Sequence, residues 1–196
     1  MNEPGRGVAP ETIYLIQESH TDIGYTHAQP VVWELHRRFL DTAVDICEWD
    51  VAPDDADHAQ RWTVETTAQI LYWLRNSTPA QVDRLLALER RRRIEVMAMP
   101  YNVTPLYDPD QLADSFRNVH RLRAEFGLDI RHAMICDVNG ENWFLADLLL
   151  DAGIEAFSMS VNGHFGGPPA PQPSLFRWQA PTGRTLLTLN GLMYGH

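Results

Sequence analysis

The stretch 131–160, RHAMICDVNGENWFLADLLLDAGIEAFSMS, predicts a strand, a helix and a second strand in succession. Residues 131–136 are mostly apolar and form the first strand, and Asn139 can cap a helix over 141–152. Residues 154–160 form the second strand, after a glycine that suits the end of a helix. Two strands joined by one helix pair in parallel through a right-handed crossover, so this stretch predicts an α/β fold.

The same alternation runs through the rest of the chain, at a spacing of roughly 30 residues. Further strands are predicted at 12–18, 61–66, 94–99, 175–180 and 185–189. Further helices are predicted at 30–48, in two segments between the strands at 61–66 and 94–99, and at 108–126. Periodicity leaves open whether the parallel strands close into a barrel or form an open sheet. In both architectures, sites form at the carboxyl ends of the strands.

The charged residues exclude several classes of site. All 16 basic residues among the 196 are arginine, and 26 acidic residues give the chain a net charge of −10. Without lysine, this span contains no Schiff-base lysine, no P-loop lysine and no Ser–Lys catalytic pair. The negative charge opposes contact with phosphate backbones, so we expect no nucleic-acid partner.

The sequence favours a cytoplasmic protein with no membrane partner. Its first residues are too polar for a signal peptide, and no apolar run approaches the ~20 residues that span a bilayer. The two cysteines, Cys47 and Cys136, form no CxxC motif, so we expect both to be reduced and buried. We expect a disordered segment over 1–11 and one domain over 12–196.

Polar side chains follow five consecutive predicted strands, at the edge where a site would form. In chain order they are His20, Asp22, His27, Glu65, Tyr101, Asn102, Asp137, Asn139, Glu141, Asn162 and His164. His20 and Asp22 are two residues apart, so on an extended backbone both side chains point to one face. Imidazole and carboxylate are zinc ligands, and a catalytic zinc site has three protein ligands, for which Asp137 is the obvious third. The His-x-Asp pair alone is more typical of a hydrogen-bonded surface pair, and it is Asp137 that favours the metal.

The remaining candidates have competing interpretations. Glu65 is expected near the site, either as a hydrogen-bond acceptor for substrate or as a group that orients a ligand. His132 lies inside a predicted strand and is expected in the core. His36, His58 and His120 are expected at the surface.

In order along the chain, several segments resemble glycoside hydrolase family 38, the α-mannosidases. They are HTDIGY (20–25), VET with the following YW (64–66, 72–73), IEV through Tyr101 (94–101), DVNG (137–140) and LLLDAGIEAF (148–157). The first resembles the His-x-Asp-x-Gly-aromatic opening of the family, and Asp137 stands where the family has its nucleophile. The resemblance covers the chain from about Thr12 to Ser160.

This resemblance implies a (β/α)7-type catalytic barrel, partial or complete in this chain, as the N-terminal part of a longer protein. His20, Asp22 and Asp137 would bind one zinc ion, and Asp137 would also be the nucleophile of a retaining glycosidase acting on α-mannoside-like glycosides. A carbohydrate is the expected substrate, and the expected substrate-binding residues are Glu65, Tyr101, Asn139 and Glu141.

The sequence also departs from the family pattern. Asn139 and Glu141 replace a Phe and a His that follow the nucleophile in the family, and this leaves the sugar specificity open. The family's acid/base Asp and fourth metal ligand are expected beyond His196, with His164 and His196 as weak stand-ins. Two alternatives remain at this point. One is a metal-dependent carbohydrate deacetylase, in which His27 joins the ligands and Asp137 acts on water, and the other is a non-catalytic carbohydrate-binding relative.

Overall fold

The computed structural model describes residues 15–49, 59–104, 106–164 and 166–191. Its helices are α1 (Gln29–Trp49), α2 (Thr67–Arg75), α3 (Pro79–Arg90), α4 (Pro109–Ser115), α5 (Arg117–Phe126) and α6 (Leu145–Asp151). Its strands are β1 (Trp62–Val64), β2 (Ile94–Val96), β3 (His132–Ile135), β4 (Ala156–Met159), β5 (Ser174–Gln179) and β6 (Thr185–Asn190). The predicted disordered segment 1–11 lies outside the described residues.

The strands form two small sheets. β1 and β2 pair in parallel, and the second sheet has the order β3-β4-β6-β5. β3, β4 and β6 run in parallel, and β5 is antiparallel to β6. One backbone hydrogen bond links the two sheets, from Ala98 N to His132 O at 2.9 Å. The predicted α/β class is confirmed, whereas the strands within the described ranges do not close into the predicted barrel.

The first predicted strand, 12–18, is only partly described. Its last four residues are not assigned as a strand, but Gln17 accepts a backbone hydrogen bond from Thr63 N at 2.8 Å. This bond places the segment beside β1. The residues that follow the segment therefore lie at the end of the sheet where α2 begins.

Three helices begin with the same local arrangement. Thr66, Thr78 and Asp108 each accept a hydrogen bond from the backbone N–H of the Gln three residues later, and the side-chain oxygen of that Gln accepts one from the backbone N–H of the cap residue. The predicted starts at Thr78 and Asp108 are confirmed. The predicted helix 108–126 is divided at Phe116, whose N–H turns to the carbonyl groups of Ala113 and Asp114 and whose ring is buried in the core.

The prediction for the start of α6 is wrong. This helix begins at Leu145 instead of Glu141, and Phe144 occupies the cap position. Asn139 does not cap it, because the Asn139 amide is bonded to the backbone of Asn162. The helix still buries Leu145 and Leu149 completely, so the crossover between β3 and β4 is packed as the apolar pattern predicts.

Candidate metal centre and active site

A cavity of about 1050 Å³ opens where several strands end. Its walls come from the segment before α1, from α1 itself, from the start of α2 and from the loops after β2, β3 and β4. Among the side chains that line it are His20, Asp22, Glu65, Tyr101, Asp137 and His164. With Asn102 and Asn162, which also line it, the cavity brings together eight of the residues that follow the five predicted strands.

His20, Asp22 and Asp137 form a compact cluster in this cavity. His20 Nε2 lies 3.7 Å from Asp22 Oδ1 and 3.9 Å from Asp137 Oδ2, and the ligand atoms of all three residues lie within 4.8 Å of one another. A tetrahedral zinc ion with bonds of about 2.0–2.2 Å holds its donor atoms roughly 3.4 Å apart. The donor set and its spacing thus fit one metal ion.

Asp137 reaches this cluster because the backbone leaves the strand conformation there. Its φ is 60°, in the left-handed region, which costs a residue other than glycine about 1–2 kcal/mol. The preceding residue is held in place by a hydrogen bond from Cys136 N to Asn102 Oδ1 at 3.1 Å. The side chains of β3 therefore stop alternating between the two faces immediately after a residue whose backbone is held in place.

Glu65 fixes the orientation of the His20 ring. This carboxylate is only 2 % exposed and accepts a hydrogen bond from His20 Nδ1 at 2.6 Å. The other ring nitrogen, Nε2, faces Asp22 and Asp137. Burial lowers the pKa of His20, but the hydrogen bond and charge of Glu65, together with the charges of the two aspartates, raise it overall.

A second group of buried side chains lies on the Nδ1 side of His20. The ligand atoms of His20, Glu65 and Cys136 also lie within 4.8 Å of one another. Burial, followed by the nearby charge of Glu65, raises the pKa of Glu18 to about 7, and the Cys136 side chain is hydrogen-bonded to it. Both cysteines are buried and neither is part of a disulfide, as predicted. Sequence patterns did not indicate Glu18, since it is the last residue of an ordinary predicted strand.

His36 was expected at the surface and is buried, so that prediction is wrong. Its Nε2 donates to Thr21 O at 3.2 Å, and its Nδ1 accepts from Gln69 Nε2 at 3.1 Å. Burial lowers the pKa of His36, so the neutral ring holds the segment between His20 and Asp22 against α1. The signal was present in the sequence, because His36 lies four residues from both Val32 and Leu40 on the buried face of α1.

The other histidines are distributed as follows. His164 lines the cavity, and His27 is exposed and accepts a hydrogen bond from Ala28 N, outside the cluster. His132 was expected in the core, but it is half-buried and contacts Glu95, so that prediction is wrong. His120 is exposed as predicted, and His58 lies outside the described residues.

Asn139 and Glu141 do not line the cavity of His20. They line a second cavity of about 350 Å³ on the far side of Asn139. The Asn139 amide makes two hydrogen bonds to the backbone of Asn162, a residue that lines the first cavity. This pair of bonds therefore lies between the two cavities.

Within the described part of the chain, no helix has both the length and the apolar character needed to cross a membrane.

Comparison with known proteins gives a consistent result. A search of curated protein sequences returned no significant match. An α-mannosidase from Enterococcus faecalis V583 superposes with a TM-score of 0.71 at 14 % identity, over 90 % of this chain and 19 % of that one. A second Enterococcus faecalis protein, of glycosyl hydrolase family 38, gives 0.65 at 11 % identity, over 90 % of this chain and 18 % of that one. A 4-α-glucanotransferase from Thermococcus litoralis superposes with a TM-score of 0.60 at 16 % identity, over 90 % of this chain and 27 % of that one.

At these low identities the superpositions show a shared fold alone, and the chain spans about a fifth of the length of the first two structures. The sequence profile of the glycosyl hydrolases family 38 N-terminal domain matches residues 10–195, which is nearly the whole chain. The chain therefore belongs to glycosyl hydrolase family 38, as a relative of the N-terminal domain of that family.

Proposed function

We propose that this chain carries the metal-binding and nucleophile-bearing part of a zinc-dependent retaining glycoside hydrolase that acts on α-mannoside-like substrates. The observation that supports the proposal most directly is the convergence of His20, Asp22 and Asp137 at one cavity, with Glu65 behind the histidine. Membership of family 38 supports the substrate class. We further propose that the strands are part of a (β/α)7-type barrel and that the protein is cytoplasmic.

The three residues of the cluster would hold the zinc ion, since imidazole nitrogen and carboxylate oxygen are zinc ligands and a catalytic zinc site has three ligands from the protein. When bound, the ion would polarise and orient two adjacent hydroxyl groups of the sugar. Glu65 would keep the His20 ring in the orientation and tautomer that a metal ligand requires, which is the usual role of a carboxylate behind a ligating histidine. Glu65 is therefore better placed to position His20 than to contact substrate.

Asp137 would act as the nucleophile. Its carboxylate would attack the anomeric carbon while the bond to the leaving oxygen breaks, and the leaving oxygen would take a proton from a general acid. Water would then attack the glycosyl ester, losing a proton to the same group, so that the configuration is retained. Tyr101, half-exposed at the wall, would pack against the sugar ring.

The deacetylase alternative depends on His27 as a ligand. The structure does not bring His27 to His20 and Asp22, since its ring is exposed and bonded to its own backbone neighbour. Release of acetate rather than of a reducing sugar remains the measurement that would favour this alternative.

The test uses the full-length protein. We expect one equivalent of zinc by mass spectrometry of the metal content, and loss of most of it in Asp22→Ala. Asp114→Ala is the matched control, since Asp114 is exposed and its carboxylate pairs with Arg117, three residues further along the chain. We expect hydrolysis of an aryl α-mannoside with retained configuration by NMR, and a rate at least 10³-fold lower in Asp137→Asn. Stoichiometric zinc in Asp22→Ala, or unchanged turnover in Asp137→Asn, would contradict the proposal.

A further inference from the structure

We propose that the second cavity is a binding site for a small organic ammonium ion, with Glu141 as its counter-ion and apolar walls for the rest of the ligand. The site shares no lining residue with the cavity of His20. The inference therefore does not depend on the metal or on the glycosidase activity.

The cavity has the size and lining of a small-molecule site. Its volume of about 350 Å³ lies within the ~300–1,000 Å³ that such sites occupy. The apolar walls come from the end of β4, from β5 and from the loop between them, and they consist of Met159, Val161, Gly167, Pro169, Phe176 and Trp178. A ligand with an apolar body would fill this space without leaving polar groups unpaired.

Glu141 is the polar group of the cavity that is left to bind a ligand. Its Oε2 is buried and makes no hydrogen bond to any residue in the described ranges. Asn139 also lines the cavity, but both ends of its amide are bonded to the backbone of Asn162, at 3.1 and 2.8 Å. A sugar brings several hydroxyl groups that would each need a partner here, whereas an ammonium group can direct its N–H donors to the Glu141 carboxylate and to the aromatic rings of the wall.

A cation is favoured over a neutral or anionic ligand because it can pair with the Glu141 carboxylate. Burial raises the pKa of Glu141 to about 8, which shows how unfavourable an unpaired carboxylate is in these surroundings. An ammonium group would pair with that carboxylate in a charge-assisted hydrogen bond, and the faces of Trp178 and Phe176 also attract cations. The net charge of −10 adds a general attraction for cations.

The walls of the cavity are held in place before any ligand binds. Trp178 packs against the buried ring of Phe157, with 6.0 Å between the ring centroids. The loop after β4 lies so close to Asn139 that a Cβ on Gly166 would come within 3.0 Å of the Asn139 amide nitrogen. A preformed cavity loses little conformational entropy on binding, so a small ligand can bind measurably.

The experiment compares a charged and a neutral probe of the same shape on the full-length protein. Binding of benzylammonium and of benzyl alcohol is measured by calorimetry at pH 7.5. We expect benzylammonium to bind at least tenfold more tightly than benzyl alcohol. Glu141→Gln should lower its affinity at least tenfold. Glu125→Gln should leave it unchanged, because Glu125 is exposed on α5 and pairs with Arg121.

A second measurement keeps the test decisive if Glu141→Gln does not fold. The parent protein, without substitution, is labelled at its methionine methyl groups and titrated with benzylammonium. The NMR signal of Met159 should shift, and the dissociation constant from this titration should equal the one from calorimetry. Equal affinity for the two probes, absence of binding, an unaffected Glu141→Gln variant or a Met159 signal that does not move at saturation would each overturn the inference.

Discussion

Replacing Glu65 tests how the site depends on a residue that lies behind the proposed ligands. Glu65→Gln keeps an oxygen that can accept the hydrogen from His20 Nδ1 but removes the charge, and Glu65→Ala leaves that buried N–H without its partner. Removing a carboxylate behind a ligating histidine lowers metal affinity by about 10–100-fold, which corresponds to about 1.4–2.7 kcal/mol. We expect the glutamine variant near the lower limit and the alanine variant near the upper one, because an unsatisfied buried donor costs a further ~1–3 kcal/mol.

The assay is competition for zinc between the full-length protein and a chromophoric chelator. Glu95→Gln is the matched control, since Glu95 contacts Nδ1 of His132 in the same way but lies outside the cavity. A readout without metal comes from NMR titration of the His20 ring. Its pKa should fall in Glu65→Gln, because Glu65 is the largest of the contributions that raise it. Zinc affinity that is unchanged in both Glu65 variants, or equally lowered in Glu95→Gln, would refute the reasoning.

Three further predictions concern stability and metal removal. The pKa of Glu141 is raised from 4.5 to about 8, so the folded protein holds this proton more tightly than the unfolded chain does. The resulting contribution to the free energy of unfolding is complete below pH 4.5 and is lost as the pH rises to 8. Glu141→Gln should therefore become more stable than the parent by ~3–5 kcal/mol over that range in urea unfolding, and a pH-independent difference would contradict this. Leu149→Ala should lower the free energy of unfolding by about 2–5 kcal/mol because Leu149 is fully buried. Leu175→Ala, at a site 66 % exposed, should lower it by under about 0.5 kcal/mol. Equal losses in the two variants would contradict the burial of Leu149 on α6. A chelator should lower the unfolding temperature of the parent by several degrees and leave Asp137→Ala unmoved, since only a protein that binds the metal is stabilised by it.

Sequence reasoning was most successful where the signal is local. The capping boxes at Thr78 and Asp108 depend on residues three positions apart, and the glycine that ends α5 takes the left-handed conformation that its place after a helix predicts. The β-α-β order of 131–160 depends on the periodicity of one segment. The proximity of His20, Asp22 and Asp137 was predicted for a topological reason, since parallel strands place their carboxyl ends at one edge.

The errors arose where a residue's surroundings come from remote segments. His36 was assigned to the surface as a residue of a predicted helix, but Gln69 of α2 and the backbone of Thr21 enclose it. Asn139 has the residue type and position of a helix cap, yet the chain after β4 supplies a better partner at Asn162. A local pattern cannot predict such choices, because competing hydrogen bonds of similar strength exist in each case.

By itself, the sequence determined the class of the fold, the family and the three residues that the proposed metal site would use. These follow from periodicity and from the order of short motifs, both of which are carried within single segments of the chain. Only the tertiary structure decided that Glu65 holds His20 by its Nδ1 and that Glu141 belongs to a separate cavity. The physical reason is that hydrogen-bond geometry and desolvation depend on which distant groups exclude water from a side chain, and that is known only once the strands and helices have packed.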